Sequence, residues 1–111
     1  MNVKIKSTVK TLDIEWPNGK KQKITFMVGN PEIIKGWAEK AESIKGLASK
    51  VTEDNALESM MEAEKDVIEL VAGKAEWKRI YKRANKNVFA ILDIVVAISK
   101  LMQEGIADNA R

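Results

Sequence analysis

The chain has neither cysteine nor histidine. Without cysteine there is no disulfide framework, and without either residue no Cys/His zinc site can be assembled. The same absence removes serine–histidine and cysteine–histidine nucleophilic arrangements. The six glycines stand singly, so no glycine-rich loop is available to cradle a phosphate. Acidic residues are plentiful, but they read as solvated along helix faces, and no loop has EF-hand spacing. No catalytic, cofactor-binding or metal-ligating constellation emerges, and the expectation is a non-enzymatic protein without cofactors. No apolar run reaches the roughly 20 residues that span a bilayer, and residues 1–10 hold none suited to a signal peptide. Together with the missing thiols, this predicts a cytoplasmic location.

What is present is enough apolar material for a core, 45% of 111 residues, and enough charge, 32%, for a solvated surface. A single domain is expected over 1–111, with a hairpin region (1–28), a helical region (30–104) and a frayed tail (105–111). The most apolar stretch is Val88–Met102, where only Asp93 interrupts the run from Val88 to Ile98. Its side chains point nearly all round a helix, whereas a surface helix needs one stripe. It therefore predicts a central helix that other segments, or another copy, must cover. Its β-branched Ile94, Val95 and Val96 leave a buried strand as the competing assignment; length and Gly105 as a stop favour the helix.

The fold class reads as α+β, mostly α. Leu12, Ile14 and Trp16 alternate with polar residues, as do Ile24, Phe26 and Val28, and Pro17-Asn18-Gly19 between them closes a hairpin over about 9–28. Val3 and Ile5 have the opposite parity, which predicts a bulge or bend near Ser7–Thr8 or a separate strand over 3–6. Three to four helices follow, over about 31–50, 53–72, 75–85 and 88–104. Asn30-Pro31 caps the first, whose apolar residues Ile34, Trp37, Ala41, Ile44, Ala48 and Val51 form a heptad seam, with a break at Gly46 left open. Thr52 is read as the second cap, Gly73 as the stop after it, and Asn87 as the cap of the last helix.

Charge is segregated. Residues 1–28 carry +4, with six lysines against Asp13 and Glu15; residues 53–70 carry −6, with seven acids against Lys65; residues 74–86 carry +5, with six cations against Glu76. Neighbouring faces of opposite sign either pack together or leave one block for a partner, and between subunits they would join copies head to tail. Two candidate surfaces follow. An apolar partner or oligomer surface comprises Trp77, Ile80, Tyr81, Ile91, Ile94, Val95, Ile98 and Leu101, and a basic patch comprises Lys78, Arg79, Lys82, Arg83 and Lys86. The short basic helix before a longer one invites comparison with helix-turn-helix. A recognition helix, however, needs exposed polar side chains, and the helix here is the most apolar of the chain.

The order of a basic hairpin, a helix after Asn30-Pro31, an acidic helix ending at Gly73, then Glu76-Trp77-Lys78-Arg79-Ile80-Tyr81 and an Ile/Val-rich helix over 88–102 resembles the small tail assembly chaperones of long-tailed bacteriophages and prophages of Gram-positive bacteria. The resemblance implies a helical, self-associating protein made in the host cytoplasm. It also implies binding to the tape measure protein during tail assembly and absence from the mature virion. The alternatives are a nucleic-acid-binding protein using the basic helix 74–86 and a structural tail component.

Overall fold

The computed structural model describes residues 1–5 and 7–110. Strands β1 (Val9–Glu15) and β2 (Lys21–Met27) form an antiparallel hairpin. It is followed by α1 (Pro31–Ala48), α2 (Ala56–Ala72), α3 (Lys74–Arg83) and α4 (Val88–Asn109). The fold is α+β, mostly α, as the patterning predicts.

Alternation places the hairpin. Register pairs Leu12 with Ile24 and Lys10 with Phe26, so the even-numbered residues share the inner face. The outer face carries the pairs Asp13–Lys23 and Glu15–Lys21, opposite charges directly across the strands. Trp16 and Lys20 close the loop: the Gly19 N–H donates to the Trp16 carbonyl at 2.9 Å and the Trp16 N–H to the Lys20 carbonyl at 2.8 Å. Gly19 takes φ +84°, which a side chain would resist. Val3 and Ile5 are exposed and residues 3–5 form no strand, so the parity change needs no bulge; Lys6 of the proposed 3–6 strand lies outside the described residues.

The helix caps follow local chemistry. The Asn30 side chain accepts from the N–H groups of Glu32 and Ile33, and Asn87 accepts from those of Phe89 and Ala90. α1 runs through Gly46 without a break and ends two residues earlier than expected. Thr52 is not a cap: α2 begins at Ala56, after Asn55 in the left-handed region and a series of turns over 49–55. Gly73, at φ 97° and ψ 165°, ends α2, and α3 starts at the next residue.

The core lies between the hairpin, α2, α3 and one side of α4. Ile24, Phe26 and Val28 from β2 and its end meet Met60, Val67 and Ile68 of α2, Ile80 of α3, and Ile91, Ile98 and Met102 of α4. α4 is covered on one broad side only, since Phe89 and Val96 remain exposed; the expectation of a helix wrapped all round is corrected to that extent.

Gly105 does not stop α4, and residues 105–109 are helical, not frayed; Arg111 lies outside the described residues. The glycine is there for a close approach. A Cβ at Gly105 would stand 2.8 Å from the Cγ2 of buried Val28, and Lys10 reaches Asp108 at 3.5 Å beside it. Gly46, in contrast, has nothing within 4 Å of such a Cβ. Gly46→Ala is therefore expected to raise stability by about 1 kcal/mol through helix propensity. Gly105→Ala gains the same propensity but overpacks a closed site at a cost of about 1–3 kcal/mol, and should be net destabilising. Denaturant midpoints of the two variants check the opposite signs.

Candidate partner-binding surface

The residues singled out as an apolar surface are placed mainly in the monomer's own core. Ile80, Ile91 and Ile98 are fully buried, and Trp77, Ile94 and Val95 are buried beside them; Tyr81 and Leu101 are half-buried. The Trp77 and Tyr81 rings pack in a tilted pair, with centroids 5.1 Å apart and planes at 36°. These side chains are thus corrected from partner surface to fold. The physical reason is that Ile91, Ile94, Ile98 and Met102 form the stripe of α4 that meets the hairpin and α2, with all four buried there, while Val95, also buried, stands at the edge of that stripe beside α1.

The opposite side of α4 is what remains available. Phe89, Leu92, Val96, Ser99 and Gln103 follow at spacings of three and four, which is one helical face. Phe89 is 53% and Val96 46% exposed, large values for apolar side chains of that size. Leu92, Val95 and Val96 face the predicted α1 seam across an open groove of about 560 Å³. Trp37, Ala41, Ile44 and Ala48 line its other wall, with Glu42, Lys45 and Lys100 at the edge. The groove exists because α1 presents alanines at 38, 41 and 48, which are too small to reach α4. Within it the Trp37 indole N–H donates to Ser99 Oγ at 2.9 Å. The heptad seam of α1 is therefore covered near Trp37 and Ile44 and exposed at Ala48 and Val51.

The basic patch is exposed at all five positions, Lys78, Arg79, Lys82, Arg83 and Lys86. Two of its members are anchored to their surroundings. Arg79 pairs with Glu76 at 2.8 Å, and Arg83 donates to Gln22 Oε1 at 3.1 Å. Gln22, buried on β2, also accepts from the Trp16 indole at 3.2 Å and donates to Glu76 at 3.0 Å, so the network fastens α3 to the hairpin. Among the described residues no ion pair joins α2 to α3; the acids of α2 pair with Lys40 of α1, through Asp66, and with Lys65 of α2 itself, through Glu69. Packing of the acidic helix against the basic one by charge is thus not what holds them together.

One residue of chemical interest escaped the sequence reading. Glu64 is fully buried and both its carboxylate oxygens lack a hydrogen-bond partner among the described residues. Burial pushes its carboxyl up to about 8, because the charged form is poorly solvated there. Its spacing from Met60, Val67 and Ile68 places it on the apolar stripe of α2, and that spacing is the signal that could have found it. It does not line the α1–α4 groove, so its effect is on the fold.

Among the described residues no three acidic side chains gather as a metal site, and no helix is long and apolar enough to cross a membrane. Comparison with protein-family models, with curated proteins and with solved structures finds no match to this chain.

Proposed function

We propose that the protein is a non-enzymatic assembly chaperone that holds an apolar helical client and associates with copies of itself. Its nearest description is the tail assembly chaperone of a long-tailed phage or prophage, acting in the host cytoplasm on the tape measure protein and leaving before the particle is complete. The observation that carries this reading is the groove between α1 and α4, with Trp37, Ala41, Ile44, Leu92, Val95 and Val96 in its walls and Phe89 exposed on the same helix. A groove with apolar walls and a few charges at its edge is the shape that receives one amphipathic helix, through side chains at i, i+3, i+4 and i+7. Phe89, Leu92 and Val96 follow one another along a single face of α4, and an apolar row of that kind is what a partner covers.

The test is coexpression with an otherwise insoluble fragment of a phage tape measure protein. The wild-type chain should carry the fragment into the soluble fraction. Ala41→Trp, which fills the groove from the α1 wall, should leave it in the pellet. A fragment that stays insoluble with the wild type, or is rescued equally by both, would refute the reading.

A further inference from the structure

We infer that two copies of this chain meet through matched rows of opposite charge, the anionic row on α2 and the cationic row on α3. This deepens the self-association in the reading above and is independent of its client groove. On α2, Glu58, Glu62 and Asp66 are exposed and spaced by four residues; on α3, Lys74, Lys78 and Lys82 are exposed with the same spacing. Four residues of helix rise about 6 Å, so both rows present charge at one repeat. Like charges at i and i+4 repel along each helix, and an opposite row set beside them relieves both.

The rows do not satisfy one another within the molecule. Among the described residues Lys74, Lys78, Lys82, Glu58 and Glu62 make no ion pair, and only Asp66 is taken, by Lys40 at 3.1 Å. Buried Val67 and Ile68 of α2 and Trp77 and Ile80 of α3 belong to one common core, which leaves the charged faces outward. The acidic side is extended by exposed Glu53 and Asp54 before α2. A second copy supplies the complement of each row at the correct sign and repeat. Because the two rows are different patches, the contact either propagates from copy to copy or closes as a reciprocal pair.

The experiment is solution mass by sedimentation equilibrium for the wild type, Lys78→Glu/Lys82→Glu, Glu58→Lys/Glu62→Lys, and an equimolar mixture of the two variants. At 50 mM salt the wild type should exceed the 12.4 kDa of one chain, and association should weaken about tenfold or more by 500 mM, since exposed pairs are screened. Each variant alone should run as a monomer, and the mixture should associate again, which also shows that both variants are folded. A monomeric wild type at 50 mM salt, variants with wild-type mass, or a mixture that stays monomeric would overturn the inference. So would a wild type that is monomeric until a duplex oligonucleotide is added and binds it through Lys78 and Lys82. The client assay with Ala41→Trp is read separately, so either idea can fail without the other.

Discussion

Replacing Glu64 with glutamine or leucine is expected to remove most of a pH-dependent loss of stability that the wild type shows between about pH 4.5 and pH 8. The folded chain holds the carboxyl at about 8, against an ordinary value of 4.5. Between those values the folded state binds the proton more firmly than the unfolded state, so stability falls as pH rises. The contribution is fully favourable below about pH 4.5 and is lost progressively up to the folded value. Each pKa unit is worth about 1.4 kcal/mol, so the linkage reaches roughly 3 kcal/mol at pH 7 and roughly 5 kcal/mol above pH 8. Both carboxylate oxygens are unpartnered among the described residues, so no attraction offsets the desolvation. Glu64→Leu should therefore raise the melting temperature at pH 7 by upward of about 10 °C, at about 4 °C per kcal/mol for a domain of this size. The diagnostic measurement is the difference between wild type and Glu64→Gln in chemical denaturation from pH 5 to pH 9. Parallel curves would mean that Glu64 does not titrate in this environment.

The second large effect separates the two sides of α4. Ile98 is fully buried in the core cluster that also holds Ile24, Met60, Ile91 and Met102, and an aspartate there would bury an unpaired charge. Ile98→Asp is expected to abolish folding, and even Ile98→Ala should cost about 2–5 kcal/mol. Val96 lies two residues away but on the exposed side, at 46% exposure. Val96→Asp should keep the wild-type circular dichroism and melting temperature to within a few °C, yet fail to bring the tape measure fragment into solution. The pairing matters because Ile98→Asp on its own cannot distinguish a lost partner surface from a lost fold. If Val96→Asp also unfolds, the division of α4 into a core side and a free side is wrong. If it folds and still rescues the fragment, the client binds elsewhere.

The same helix shows where the sequence is readable and where it is not. Elements marked by local chemistry are legible: period-two alternation in Leu12–Trp16 and Ile24–Val28, the turn at Pro17-Asn18-Gly19, and the Asn30 and Asn87 caps. In those places the backbone conformation depends on the residues within a few positions. The inward side of α4 is different in kind. A helix apolar all round has no preferred face of its own, and what selects Ile91, Ile94 and Ile98 is the position of the hairpin and α2. So the candidate surface shifts by more than a third of a turn, to Phe89, Leu92 and Val96, only when the neighbours are known. Gly105 misleads for a related reason. Glycine after an apolar run signals a helix end, yet here the missing side chain makes room for Val28, 77 positions earlier. Glu64 shows the converse, since its stripe position was readable but its charge argued for solvent. Thr52 and Asn55 are both acceptable cap residues by composition, and the turns over 49–55 decide between them.

The single residue between α2 and α3 has a consequence for how such a surface can change. Gly73 occupies a backbone region that is essentially closed to residues with a side chain. That conformation sets the angle at which the two helices leave the joint. A chain that replaced this glycine would have to re-aim one helix, so the angle between the acidic helix and the basic one depends on a single position that itself carries no charge.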